Sequence, residues 1–461
     1  MMLRYSAVLL LALAPFSQAE TVLSTLPNGM KVLVKEDRRA PVAAVRLWYK
    51  VGSVDEHAGK TGLSHALEHM MFKGTKAVPA GEFSRRVAAL GGNDNAYTNR
   101  TETVYTTNIA VKNLNEVLKM EADRMTGLNF SDKAFANEMD VIREERRMRT
   151  DDSPDGKLWE TLHIKMWRKP FNKAPVIGYM ADLHKLKAAD LRAWYKQWYA
   201  PNNAMLVVVG DVDARQTVKE AEKLFGSIPK RKLPARNGEF ERPSEARAVQ
   251  AEVYAVTAQP IVSLNWRVPA AEKISDEMPY ALEMLGLVLA GTDSARYNKK
   301  LQRGDAVALD VSAGYSDFGR KNAIFSAGGL PNGQTTPEEL KKRLLAEIRD
   351  IADKGVTQEE LELIRRPVET SRIFAKDSVR SQADTLGELE HNGFGWQTED
   401  EAVRRLLSVT PAQVQAAARL IAASPLTQIT VLPKARQAKA AEGRLKTPDT
   451  PAAAQENEAQ P

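Results

Sequence analysis

The sequence predicts an α+β protein made of two similar units, each a mostly antiparallel sheet packed against helices. Three observations predict it. Short alternating or β-branched runs are interspersed with long helical patterns along the whole chain. That succession breaks at 228–247, where prolines 229, 234 and 243 sit among many charges and few apolar residues, and then starts again. A short passage also recurs across the break. Pro41-Val-Ala-Ala-Val-Arg-Leu-Trp48 precedes Ala66-Leu-Glu-His69 and Gly74-Thr75 in the first half. Pro260-Ile-Val-Ser-Leu-Asn-Trp266 precedes Ala281-Leu-Glu-Met284 and Gly291-Thr292 in the second. Where the first copy has His65 and His69, the second has Tyr280 and Met284, so only the first could bind a metal there.

Taken in order, residues 1–19 read as a signal peptide. It has a basic start at 1–4, an apolar core at 6–16, and Ser17 and Ala19 at the small-residue positions of a cleavage site before Glu20. The first unit is expected over 20–227. It opens with a hairpin at 22–35 around Asn28-Gly29, then a strand at 42–51 and a helix at 61–72. A helix at 83–90 is stopped by Gly91-Gly92 and followed by strand, turn and strand over 95–109. Helices fill 114–125 and 132–150, and the run Leu206-Val-Val-Val209 marks a buried strand at 204–211. After the linker, the second unit is expected over 248–436. Its elements are paired strands at 253–268, a helix at 277–289 and strands over 306–330. Helices at 337–354, 358–375 and 411–423 come next, then a strand at 426–432. Thr410 and Pro411 mark an N-cap and first helical position. The tail 437–461 is rich in Ala, Pro, Gln and Glu and reads as disordered.

Composition narrows the function. Of 461 residues, 43% are hydrophobic and 27% charged, as for a globular chain with a core. A net charge of +6 without a Lys/Arg run interleaved with aromatics argues against nucleic-acid binding. The leading apolar run is too short for a membrane span, and no cysteine comes after it to carry a lipid. With no cysteine anywhere, disulfides and thiolate metal sites are excluded, so a metal must be held by His, Asp or Glu. Export without disulfides points to the periplasm of a Gram-negative bacterium.

The chemistry is concentrated in His65-Ala-Leu-Glu68-His69. Only six histidines are present, and two stand four apart on an expected helix, projecting from one face with Glu68 beside them. This is an H-x-x-E-H zinc-hydrolase pattern. A catalytic zinc takes three protein ligands and a water, so one more ligand is required. The helix at 132–150 offers candidates. Ser131 is its N-cap, and Phe135, Met139, Val141, Ile142 and Met148 mark its expected buried side. Glu138 and Glu145, seven residues apart, fall on that apolar arc, where a carboxylate is costly unless a cation faces it. Asp140 and Glu144 point away. His57, His163, His184 and His391 read as ordinary core or surface residues.

With these residues in hand, the sequence resembles the pitrilysin/insulinase family of inverzincin metallopeptidases, in particular its short bacterial and mitochondrial-processing branch. Gly91-Gly-Asn-Asp-Asn-Ala-Tyr-Thr98, Phe72-Lys-Gly-Thr75 and Glu144-Glu-Arg-Arg147 fit as well, and the likeness runs over about 21–433. The resemblance implies one Zn2+ per chain held by His65, His69 and Glu145, with Glu68 as general base and Glu138 in support of a histidine. It implies a substrate strand around Asn95, Ala96 and Tyr97 that pairs with an extended peptide or unfolded protein segment. It also implies a two-domain chain forming half of a clamshell.

The chain departs from the family in one respect. Family members that act alone carry an arginine and a tyrosine in the second half. At the matching places this chain has Gln302 and Leu309, with Arg303 and Tyr315 nearby but out of register. Either that register is displaced, or the chain is the zinc-bearing subunit of a heterodimer whose homologous partner brings the pair; the second reading is preferred. Two other functions compete with peptidase activity. One is a non-catalytic peptide-binding or assembly subunit. The other is a zinc carrier, for which the expected His/Asp-rich loop is missing.

Overall fold

The computed structural model describes residues 19–236, 241–317 and 323–434. The expected signal peptide up to residue 18 and the expected disordered tail lie outside the described residues. The first unit runs β1 (Thr21–Thr25), β2 (Lys31–Glu36), β3 (Val42–Tyr49), α1 (Leu63–Met70), α2 (Glu82–Ala89), β4 (Asn93–Thr98), β5 (Thr103–Ala110) and α3 (Leu114–Gly127). It continues through α4 (Asp132–Arg146), α5 (Pro154–Met166), α6 (Pro170–Lys173), α7 (Met180–Leu183), α8 (Ala188–Trp198), β6 (Ala204–Gly210) and α9 (Ala214–Phe225). The second runs β7 (Val249–Ala255), β8 (Ile261–Val268), α10 (Glu277–Ala290), β9 (Ala308–Asp317), β10 (Ala323–Pro331), α11 (Pro337–Lys354) and α12 (Gln358–Ala375). It closes with α13 (Val379–His391), α14 (Glu399–Leu407), α15 (Pro411–Ala423) and β11 (Thr427–Pro433).

Each unit builds one sheet. The first has the order β1-β2-β6-β3-β5-β4 and the second β7-β11-β8-β10-β9. Both are antiparallel except for one parallel pair each, β2 with β6 and β7 with β11. The last strand of each unit is therefore threaded into the middle of its sheet. This corrects one expectation: β7 and β8 do not pair with each other, because β11 lies between them. The reason is burial. All of β6 is buried, and β11 is buried from Thr427 to Val431. A strand covered on both faces belongs at the centre of a sheet.

The two units exchange helices. One face of the first sheet carries the main core with α1, α3, α4 and α8; its other face, through Leu33, Ala44, Trp48, Val207 and Val209, is covered by Ala383 and Leu386 of α13. Reciprocally, the outer face of the second sheet is covered by Leu158, Leu162 and Met166 of α5, against Ile324, Ile429 and Val431. Neither α5 nor α13 was expected from the sequence.

The long helix at 132–150 also differs from expectation. Its α-helical part ends at Arg146, and Arg147–Asp151 form a π-helical turn. Phe135, Met139 and Ile142 are buried as expected, but Val141 and Met148 are exposed, at 53% and 65%. The extra residue in a π turn shifts the facing of the side chains beyond Arg146, which takes Met148 off the buried face. Val141 lies at the edge of an arc too narrow to include it.

Candidate metal centre

The motif helix is fixed at its start by a carboxylate from the preceding loop. Glu56 accepts the backbone N–H groups of Gly62 and Ser64, both at 2.7 Å, satisfying donors that a helix N-terminus leaves open. Gly62 has a φ of 88°, and a Cβ there would lie 2.7 Å from the Ile177 carbonyl, so only glycine fits. Leu63, Ala66, Leu67 and Met70 anchor α1 in the core. The imidazoles of His65 and His69 then share the other side, with ring centroids 4.7 Å apart.

Across from them, Ser131 caps α4 by accepting the Ala134 N–H, and Phe135, Met139 and Ile142 seat the helix. Glu138 and Glu145 face the histidines from positions about two turns apart. Glu145 Oε2 lies 3.4 Å from His69 Nε2 and 3.7 Å from His65 Nε2. Ligand atoms about 2.0–2.2 Å from one tetrahedral ion lie about 3.4 Å from each other, so the spacing fits a shared ion. These three side chains are the one group of three metal-ligating residues among the described residues. Glu145 Oε2 is buried without a hydrogen-bond partner, an arrangement a cation would satisfy. Two imidazoles, one carboxylate and no thiolate suit a hydrolytic zinc site with an open position.

The remaining site residues are held for distinct tasks. Glu138 Oε1 meets His69 Nδ1 at 2.9 Å, and its other oxygen accepts from Lys73. Glu68 is buried beside the histidines, and the Thr98 hydroxyl donates to its Oε2 at 2.6 Å. Arg149 Nε forms an ion pair with Glu145 Oε1 at 3.1 Å. The sequence expectation gave none of Lys73, Thr98 and Arg149 these roles, although Lys73 and Thr98 lie in segments that carry the family resemblance; each reaches the site through folding.

The charges are arranged unequally. Burial, together with the neighbouring charge of His69, depresses His65 to about 4, so His65 is neutral at ordinary pH. For His69 burial also opposes the charge, but the hydrogen bond to Glu138 and the nearby Glu145 carboxylate outweigh it and raise the ring to about 9. Burial pushes the Glu68 carboxyl above its usual range, against the bond from Thr98, which suits a group that must accept a proton. The His69 ring beside it outweighs burial and holds Glu145 below the usual range.

Asn95, Ala96 and Tyr97 lie on β4, an edge strand with one unpaired side. Thr98, at the end of the same strand, reaches Glu68. The second unit presents no equivalent of the metal site among the described residues. Met284 is fully buried, and the Tyr280 hydroxyl donates to the Ile274 carbonyl at 3.0 Å. Glu283 pairs with Arg372 at 3.3 Å beside a cavity of about 320 Å³. Gln302 donates to the Leu309 carbonyl at 2.9 Å, Arg303 to the Asp293 carbonyl, and Tyr315 to the Pro269 carbonyl at 3.1 Å. All three polar groups serve the second unit's own backbone. Of the histidines expected to be ordinary, His391 joins the two units, 3.2 Å from Glu102 and packed on Trp48.

Comparison with known proteins decides the family. The model described as Insulinase (Peptidase family M16) matches residues 31–178, which contain the whole His65/Glu68/His69/Glu145 group. The chain belongs to peptidase family M16. The model described as Peptidase M16 inactive domain matches 185–368, consistent with a second unit of the family without metal ligands. Among M16 relatives, the zinc protease PqqE of Helicobacter pylori is 31% identical over 397 residues, 84% of this chain and 87% of that one. The solved structure of a protease from Helicobacter pylori superimposes with a TM-score of 0.84 at 26% identity, over 90% of this chain and 100% of that one. The periplasmic protease PqqL of Escherichia coli shares the fold at a TM-score of 0.75 and 19% identity. There, 89% of this chain covers 47% of that one. Among the described residues no helix is long and apolar enough to cross a membrane.

Proposed function

We propose that this chain is a zinc-dependent endopeptidase that cuts peptides or unstructured protein segments. The observation that carries the proposal is the convergence of His65 Nε2, His69 Nε2 and Glu145 Oε2 around one point, with Glu68 buried beside them. Family membership supports it, as does the name zinc protease given to the Helicobacter pylori relative. His65, His69 and Glu145 would hold one Zn2+, which when bound supplies Lewis acidity to a water and to the scissile carbonyl. Glu68 takes the proton of that water and returns it to the leaving amine. Thr98 fixes the Glu68 carboxylate, and Glu138 with Lys73 orients His69. An extended substrate pairs with the free edge of β4 along Asn95, Ala96 and Tyr97, which reads backbone more than sequence.

The site-bearing unit is 20–227 and its metal-free counterpart 248–436. We take the chain to be half of a clamshell closed by a homologous subunit. Two observations support this. Gln302, Arg303 and Tyr315 are turned into their own unit, and this chain spans about half of the longer PqqL chain. The leading segment suits export to a periplasm. A second reading, a non-catalytic peptide-binding subunit, draws on the inactive-domain match. That match begins after the metal group, however, and takes in only α8, β6 and α9 of the first unit before most of the second.

The test is to measure zinc in the purified mature protein and cleavage of a quenched peptide. Glu68→Gln is expected to keep zinc and lose cleavage, whereas His65→Ala loses both. Zinc retained by His65→Ala would refute the ligand set. Full zinc with no cleavage by the wild type, alone or with its partner, would favour the binding subunit.

A further inference from the structure

Arg149 occupies an unusual place. It lies on the π-helical turn Arg147–Asp151, immediately after the helix that carries Glu145. Its Nε lies 3.1 Å from Glu145 Oε1 as an ion pair, and Glu145 Oε2 faces the imidazoles. Its two terminal nitrogens have no acceptor among the described residues, and its side chain is 73% exposed. The surrounding arginines differ. Arg143 is paired with Asp140, and Arg147 with Glu144. Arg146 is tied to the Gly178 carbonyl, Asp151 and Glu160. Of this group Arg149 alone combines an ion pair to the candidate metal ligand Glu145 with an exposed guanidinium.

Its backbone is held in place. Asp152 N–H closes the π turn on the Arg147 carbonyl at 2.8 Å. The start of α5 packs against the turn so closely that a Cβ on Gly156 would lie 2.1 Å from the Arg149 carbonyl oxygen. π turns of this kind are frequent at functional sites. The contact with Glu145 is made at Nε, on one side of the guanidinium, and the two terminal nitrogens stay open. A guanidinium edge with two parallel N–H donors matches a carboxylate, where an ammonium would give only a point charge.

We infer that Arg149 is a substrate-binding residue that recognises a carboxylate of the peptide close to the scissile bond. The carboxylate comes from an acidic side chain or from the peptide's C-terminus. The inference rests on the peptidase reading for the word substrate, but its test does not require cleavage.

The test uses zinc-loaded full-length protein carrying Glu68→Gln, with and without Arg149→Ala or Arg149→Lys. Calorimetry measures binding of peptides with one Glu at successive positions, of their Gln analogues, and of the same peptides with free or amidated C-termini. For the favoured position, Glu is expected to bind about tenfold or more tighter than Gln, the size of a hydrogen-bonded charge contact. Arg149→Ala should bring that ratio close to one, and Arg149→Lys should restore part of it. A difference between free acid and amide instead of between Glu and Gln would assign the contact to the C-terminus. An unchanged ratio in Arg149→Ala overturns the inference. Loss of zinc from Arg149→Ala also overturns it, in favour of a role in holding Glu145. If the wild type cleaves nothing but Arg149 still discriminates, the peptidase reading fails and this one stands.

Discussion

Glu138 and Lys73 act one step away from the metal site. His69 has a carboxylate on Nδ1, and that carboxylate is in turn held by an ammonium. Such partners set the orientation and basicity of a ligating imidazole. Glu138→Gln keeps a hydrogen-bond acceptor but loses the charge, and is expected to weaken zinc binding about 10- to 100-fold, measured by competition with a chelator. Thr98→Val should leave zinc in place and lower the cleavage rate, because it frees the Glu68 carboxylate without touching a ligand. At this scale the sequence was most legible where contacts are local. His65, Glu68 and His69 are set by helical spacing alone. Glu145 and Glu138 needed the apolar arc of α4, and their separate tasks came from the family resemblance. The contacts of Lys73, Thr98 and Arg149 carried no signal, even though Lys73 and Thr98 lie in segments that fit the family, since such residues are ordinary until α1, α4 and β4 are brought together.

At the scale of elements, α13 and α5 are the pieces that lock the units together. α13 lies directly on Trp48, and a Cβ on Gly387 would sit 2.7 Å from three atoms of the indole. Trp48 is buried at 3% and cannot yield. Gly387→Ala is therefore expected to cost about 1–3 kcal/mol, as overpacking does, and to lower the denaturant midpoint while zinc content stays unchanged. The start of α13 is tied to the first unit through Asp37, which accepts from Arg39 and, at 2.7 Å, from Gln382. The Arg39 guanidinium, outweighing burial, holds the Asp37 carboxyl down to about 2. A depressed acid stabilises the fold fully above its ordinary value of about 3.9 and loses that stabilisation as pH falls through about 2. Asp37→Asn should thus lower the melting temperature at neutral pH, with the gap to wild type closing between about pH 4 and 2. The sequence showed the strands and long amphipathic helices well. It hid α5 and α13 because each buries a modest face against the other unit, and α13 buries polar Gln382 and Glu390 as well.

The whole molecule is one architecture used twice, with the central strand inserted last in each sheet and, among the described residues, only one copy equipped for metal. The duplication was legible because the strand and helix around the motif recur. The order of the strands was not, since which strand lies between two others is set by burial on both faces rather than by sequence adjacency. Among the described residues, a chain built this way has edge strands β1 and β4 in its first sheet and β7 and β9 in its second. If a homologous subunit closes the clamshell, adding the neighbouring-gene product should raise peptide cleavage well above that of the chain alone; equal rates would dismiss the partner. The central claim is narrower and can be examined without any substrate. A zinc-edge anomalous X-ray map of the metal-loaded protein is expected to show one strong peak bonded to His65 Nε2, His69 Nε2 and a Glu145 carboxylate oxygen at about 2.0–2.2 Å. A peak elsewhere, or one that leaves Glu145 out of bonding distance, would contradict it.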